Sequence, residues 1–423
     1  MNGTTRNDTA ARTAATPDTE IAAAALLRTS TAVRERSRQL LDRARGGRSP
    51  WFTVQDDALA SAADIVVEIT RERHPDGAIP FHSRWRHFEA GGIDRLESLR
   101  DMLPPANSPD HIRALVDVVL VSVLLDAGAG PEWSYREKST GLVLTRSEGL
   151  GVASWEAFVG GLFSGDAAQP SRVDAAGLRA VTVESLGAAF QVSAGNPITG
   201  LEGRVELLRR LGTALADQPA IFGSAGRPGG LFDHLTADGR GTVSATAILD
   251  AVLTFLGPIW PSDNRIGSVP LGDCWQHDAV TGPGATAGWI PFHKLSQWLT
   301  YSLLEPFMWA GVEVTGIDQL TGLPEYRNGG LFLDTGVLAL RDEEWVDVEW
   351  EVGDQLVVEW RALTVALLDE IADLVRDRLG TDPTAMPLAC VLEGGTWAAG
   401  RALAARLRNG SPPLSIRSTG TVF

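Results

Sequence analysis

Residues 110–126, DHIRALVDVVLVSVLLD, constrain the fold more than any other stretch of this 423-residue chain. Apolar side chains run nearly all round the helix they would form, so no face is left for water. A helix of that kind is buried on every side, and other elements have to enclose it. Asp110 stands at its start as a cap and Gly128 at its stop. The chain is long enough to supply the enclosure, as one large core or as two parts sharing a cleft. No window offers about 20 apolar residues free of charge, so no membrane-spanning helix is expected.

Helical spacing recurs elsewhere. It predicts helices over 31–45, ended by Gly46-Gly47, and over 56–73, ended by His74-Pro75-Asp76-Gly77. Further helices are expected over 172–190, 200–217, 244–256 and 292–305. Residues 357–379 carry Leu363, Leu367, Ile371, Leu374 and Val375 on one face, and Gly380 stops them. Residues 331–341 read as a hairpin around Asp334-Thr335-Gly336. No strand–helix alternation supports a doubly wound sheet. The fold expected is mainly α, with a few short strands or hairpins. Residues 1–25 are read as a disordered tail, lacking large apolar side chains over most of their length. Residues 26–423 are read as one helical domain of two lobes, about 26–190 and 191–423, sharing a central cleft.

Charge narrows the function. The formal net charge of −16 opposes general nucleic-acid binding. The N-terminus lacks a basic-then-apolar signal layout, which favours a cytoplasmic location. Two cysteines cannot build a disulfide framework or a cysteine zinc site. Of the 37 basic residues only Lys138 and Lys294 are lysines, and only Tyr135, Tyr301 and Tyr326 are tyrosines. Coding toward GC-rich codons drains both types, so the survivors mark places where the side chain itself matters.

Several motifs invite chemistry and fail on their neighbours. Val123–Gly130 resembles the glycine loop of S-adenosylmethionine methyltransferases, but Pro131 follows and a helix-length run precedes it, so a helix C-terminus is the better reading. Asp238–Val243 resembles a calcium loop, but Arg240 and Ala247 fall where oxygen ligands are needed. The single Asp334-Thr335-Gly336 lacks the second carboxylate of an aspartic protease. His82 and His87 lie five apart without acidic ligands, so no metal is expected there, and no cofactor is expected at all.

Other segments hold better groups. PFHSRWRHFEAGGIDR at 80–95 packs Arg84, Trp85, His82 and His87 together, as an anion or sugar site or as a salt-bridge hub. EWSYREKSTGLVLTRSE at 132–148 carries Arg146 and Glu148, in a hairpin packed on the core or at a pocket. Lys294, Trp298, Tyr301 and Glu305 form one stripe of the 292–305 helix, suited to a polar pocket wall, with Pro306 placing Glu305 at the helix end. TGLPEYRNGG at 321–330 carries Glu325, Tyr326 and Arg327.

These segments resemble a known family. HSRWRHF at 82–88, SVLLDAGAGPEWSY at 122–135, RSEGLGVAS at 146–154, FQVSAGNPITGLEGR at 190–204, FHKLSQWLTYSLLEP at 292–306, LTGLPEYRNGGLF at 320–332 and SPPLSIRSTGTVF at 411–423 are similar to the uracil-catabolism protein family of fungi and bacteria. That likeness spans about residues 30–423. It implies a role in opening the uracil ring through a ribosylated urea, where an N-glycosidic bond between ribose and urea has to be cleaved. A fainter likeness is to the queuosine-5′-phosphate hydrolases, a helical fold akin to DNA glycosylases. It rests on NPITGLEGRVELLRRLG at 196–212, LGDCW at 271–275, FHKLSQWL at 292–299 and VEWRALTVALLDEI at 358–371. Lys294 departs from it, standing near an expected carboxylate.

Together these imply an N-ribosyl hydrolase acting on ribosylurea or its 5′-phosphate. Its transition state is oxocarbenium-like and needs a carboxylate, a proton donor for the leaving nitrogen, and anchors for the sugar. Asp273 is the expected carboxylate, with Glu305 its rival, and Lys294, His293 and Tyr301 complete the catalytic set. His82, Arg84, Trp85, His87, Arg146, Glu148, Trp275, Tyr326, Arg327, Glu359 and Arg361 are the expected substrate-binding residues. The partner expected is a small nucleoside- or nucleotide-derived molecule, not nucleic acid or a membrane, and a homodimer is compatible with the chain. The alternatives are another hydrolase or transferase of the same pathway, or a non-catalytic scaffold.

Overall fold

The protein is described by a computed structural model, which covers residues 17–99, 102–106, 108–260 and 262–417. It is mainly helical. The apolar run forms the helix Pro109–Leu124, with every residue from Ala114 to Leu124 buried. Its cap is Ser108, whose hydroxyl accepts from the His111 amide at 3.3 Å, with Pro109 in the first turn, so Asp110 does not cap it. Asp117 is the one carboxylate inside this apolar shaft. It is satisfied by Arg227 at 2.8 Å and by the amides of Val173 and Gly229.

Two helices flank that shaft and matter for function: Arg146–Val159 and Lys294–Trp309. The long helix Gln355–Leu379 lies against Ser30–Arg45 and Asp56–Arg73. Trp397–Arg408 packs on Tyr326–Asp334. That approach is close because of Gly400, where an added Cβ would collide with the Arg327 carbonyl. Strands among the described residues are two or three residues long and pair only in twos. No helix among them is long and apolar enough to cross a membrane.

The structure departs from the sequence reading in several places. Residues 17–25 of the expected tail lie in a helix, Pro17–Leu27, and residues 1–16 are outside the described residues. The expected 172–190 helix is two, Ala175–Ala180 and Val183–Ala189, because the Thr182 hydroxyl caps a new start with Ser185. The expected 331–341 hairpin is the end of a helix followed by the strand Leu338–Leu340, which pairs with Phe52–Val54. Here Glu325 caps a helix that periodicity did not reveal, accepting from the Arg327 and Asn328 amides at 2.7 and 2.5 Å.

Pro306 does not end its helix, which continues to Trp309. A proline inside a helix leaves the carbonyl four residues back without its amide donor. That carbonyl belongs to Ser302, and it accepts instead from the Trp85 indole nitrogen at 2.9 Å. The Ser302 hydroxyl accepts from the Arg84 amide at 2.9 Å. The 82–88 segment thus repairs the defect that Pro306 makes.

Candidate active site

The loop leaving the central helix carries Asp126. Arg204, wholly buried, donates to the carbonyls of Leu125, Ala127 and Gly128 at 3.2, 2.6 and 3.2 Å and to that of Thr199. Burial brings its pKa down to about 10, so it stays a cation at neutral pH. This staple fixes the backbone from which Asp126 projects.

Asp126 Oδ1 lies 2.9 Å from Arg84 Nη1. The contact is off-line, so neither that oxygen nor Arg84 Nη2 has a hydrogen bond among the described residues. Arg84 is wholly buried, and its other donors go to the Ser122 hydroxyl at 2.6 Å and the Ser147 carbonyl at 3.2 Å. Burial depresses the guanidinium pKa, and Asp126 opposes that. A buried, incompletely satisfied polar pair is costly and marks a place where a ligand would complete the bonding.

Lys294, Tyr326 and His87 all feel the Asp126 charge. Lys294 opens its helix, reached through His293 in the left-handed region at φ 48. Burial pushes the Lys294 ammonium pKa down and the Glu325 carboxyl pKa up, and each charge counters the shift of the other. Burial, helped by Arg84, takes His87 down to about 4, so its ring is neutral at pH 7. Burial opposes ionisation of Glu148, but Arg401, at 2.6 Å, and His87 outweigh it.

Trp298 lies one turn after Lys294 and forms the wall of this group. Arg84 sits over its ring at 5.6 Å, and the His87 and His82 rings are 5.7 and 6.4 Å away. Trp298 Nε1 is buried without a partner. His82 is held from behind: its Nδ1 is 2.8 Å from Glu393, which also takes Arg73 at 2.9 Å. Glu393 lies in a π-helical turn, Leu392–Thr396. Burial opposes its ionisation, yet His82 and Arg73 hold its carboxyl at about 2.

The structure therefore brings His82, Arg84, His87, Arg146, Glu148, Lys294, Tyr326 and Arg327 into one neighbourhood, around Asp126. Asp273 and Arg361 also lie beside Lys294, which feels both charges, but they are closed on each other, and the remaining expected residues are tied up in other contacts. Asp273 accepts from both Arg361 nitrogens, from Trp275 Nε1, each at 2.8 Å, and from the Lys294 amide at 2.9 Å. Burial opposes its ionisation, but Arg361 prevails and holds the carboxyl at about 2. A carboxylate so saturated anchors the start of the Lys294 helix and has no lone pair to spare. Glu359 is closed off by Ser49, Arg43 and His277. His293 bonds the Leu27 carbonyl at 3.0 Å. Tyr301 is wholly buried with its hydroxyl on the Thr321 carbonyl at 3.0 Å, and burial raises its pKa. Glu305 takes Ser83 and Arg86, and Trp85 packs against Phe88 and Trp309. The stripe of the 292–305 segment is thus divided: Lys294 and Trp298 line the group, Tyr301 is core, and Glu305 belongs to a separate ion pair.

Asp126 and Arg401 are missing from the expected site set, and Trp298 and Glu325 are named in their segments without a role. Asp126 was within reach of sequence reasoning, since the glycine loop after the central helix drew attention to it and was dismissed as a helix end. It is a helix end, and it also presents the carboxylate. Among the described residues no three His, Cys, Asp or Glu side chains are placed to hold a metal ion.

Residues 26–423 match the family described as Protein of unknown function (DUF1688). The chain is 39% identical to Protein urg3 of Schizosaccharomyces pombe over 401 residues, covering 92% of this chain and 96% of that protein. It is 37% identical to Uracil catabolism protein 4 of Lachancea kluyveri over 427 residues, covering 92% and 97%.

Proposed function

The chain belongs to the DUF1688 family, and on that premise we propose that it works in uracil catabolism as an N-ribosyl hydrolase that releases urea from ribosylurea or its 5′-phosphate. The observation that carries the reading is Asp126: a carboxylate with an oxygen lacking a hydrogen bond, among cationic and neutral donors. Hydrolysis of an N-riboside spreads positive charge over C1′ and its ring oxygen. Asp126 takes the part of the carboxylate that stabilises this charge and accepts the proton of the attacking water. The C1′–N bond breaks with its electron pair going to nitrogen, and Lys294 supplies the proton that nitrogen needs. Lys294 suits that task because burial makes its ammonium a stronger acid than usual. Glu325 faces Lys294 as its counter-charge. Trp298 offers an aromatic face to the sugar.

The test is urea release from each substrate by the purified full chain, beside Asp126→Asn and Lys294→Met. Release by the parent and its loss in both variants is expected. No urea from either substrate, or full activity in Asp126→Asn, overturns the proposal.

A further inference from the structure

Two arginines converge on Gly410 without a counter-ion among the described residues. Arg327 Nη1 donates to the Gly410 carbonyl at 3.1 Å, and a Cβ added at Gly410 would lie 3.1 Å from Arg146 Nη2. Arg327 is 3% exposed, yet it forms no ion pair among the described residues; it lies over the Tyr326 ring at 4.7 Å. Arg146 has neither a hydrogen bond nor an ion pair there, and its backbone is held in the left-handed region at φ 54. That conformation is costly for a residue with a Cβ and persists where the surroundings impose it. The nearby carboxylates form no ion pair with either arginine among the described residues: Glu148 is bound by Arg401, and Glu325, though it feels Arg327, caps its helix. Bringing two guanidinium groups together, one of them buried, is unfavourable unless an anion joins them.

We propose that Arg146 and Arg327 form a subsite for the phosphate monoester of a sugar phosphate, which makes the 5′-phosphorylated compound the substrate. The second clause rests on the N-ribosyl hydrolase reading; the anion site does not. Tyr326 feels both arginines and also Glu325 and Asp126, so it lies within electrostatic reach of the anchor pair and of Asp126. A sugar phosphate anchored at Gly410 therefore extends past Tyr326 toward Asp126, its phosphate oxygens taking the forked donors of both arginines.

The experiment is calorimetric titration of the full chain with ribose 5-phosphate, ribose and inorganic phosphate. Ribose 5-phosphate is expected to bind at least about tenfold more tightly than ribose, a difference that one charge-assisted contact supplies. Arg146→Ala should weaken it by roughly tenfold and leave ribose unchanged, with Arg146→Lys falling between. Arg146 is exposed and makes no bond among the described residues, so this variant is expected to keep its melting temperature. Equal binding of ribose and ribose 5-phosphate, or no change in Arg146→Ala, overturns the subsite. Inorganic phosphate binding as tightly as ribose 5-phosphate identifies free phosphate as the ligand and overturns the sugar-phosphate assignment. The two proposals fail separately. Arg146-dependent binding without urea release from ribosylurea 5′-phosphate sinks the hydrolase and leaves the subsite. Urea release from ribosylurea 5′-phosphate at one kcat/KM in parent and Arg146→Ala sinks the subsite and leaves the hydrolase.

Discussion

Asp126 and Asp273 are both aspartates facing a buried arginine near Lys294, and they differ in one respect. Asp273 has four hydrogen bonds, two of them a matched fork from Arg361. Asp126 meets Arg84 through Oδ1 at 2.9 Å, and that buried oxygen has no aligned hydrogen bond among the described residues. The first arrangement holds two segments together, and nothing further can bind it without breaking it. The second is incomplete and is finished only by something added. Residue type and neighbourhood are nearly the same in the two, so completeness of bonding separates a structural carboxylate from an available one.

The sharpest way to break this contrast is to remove the charge at each position. Asp126→Asn is expected to lower urea release by about 10²–10⁴-fold, the usual weight of a general acid–base group. Asp273→Asn acts first on folding. It removes the charged half of the buried Arg361 fork, which costs about 3–5 kcal/mol in denaturant unfolding. Should Asp126→Asn be the less stable of the two, the assignment is reversed. A wedge tests the site's scaffold without touching a charge: Gly400→Ala should cost about 1–3 kcal/mol by forcing apart the helices that bring Arg401 and Arg327 together.

Acid separates the two regions on a finer scale. Asp273 and Glu393 are held at about 2, below the ordinary carboxylate value near 4. The unfolded chain takes up their protons more readily, so their stabilisation is complete above about pH 4 and lost as pH falls toward 2. His87, held at about 4, works in a different window. The unfolded chain protonates that histidine from about pH 6.5 downward, so stability falls between 6.5 and 4. His87→Gln should flatten unfolding curves in that upper window and leave the lower one unchanged. The smallest expected effect is Trp85→Phe, which strips the Ser302 carbonyl of its donor and costs about 1 kcal/mol.

Long periodic helices were legible in the sequence. The spans 31–45, 56–73, 200–217 and 357–379 lie within a residue or two of the helices observed, because apolar spacing and glycine stops act locally. Capping from a side chain was less legible. Glu325 starts a helix through two backbone bonds that leave no periodic trace, and so the hairpin reading of 331–341 failed. The site was legible as a set of segments and not as a set of roles. HSRWRHF, Arg146, Lys294 and Tyr326 do meet, yet sequence spacing cannot tell that Tyr301 turns into the core while Lys294, seven residues earlier, does not. Nor could it distinguish the saturated aspartate from the bare one, since the Arg361–Asp273 fork joins residues 88 positions apart.

The bond between Trp85 and the carbonyl that Pro306 strips of its amide bears on how a substrate gets in. It makes the HSRWRHF segment and the Lys294 helix move as one. Were that segment to swing outward, a carbonyl in the interior would lose its donor, which is costly for a buried polar group. This flank of the Asp126 group is therefore a fixed jamb and not a door. Arg146 and Tyr326, by contrast, meet solvent. An incoming molecule would meet the exposed Arg146 first, with the buried Arg327 behind it, and an anionic end would lead the rest of the molecule inward.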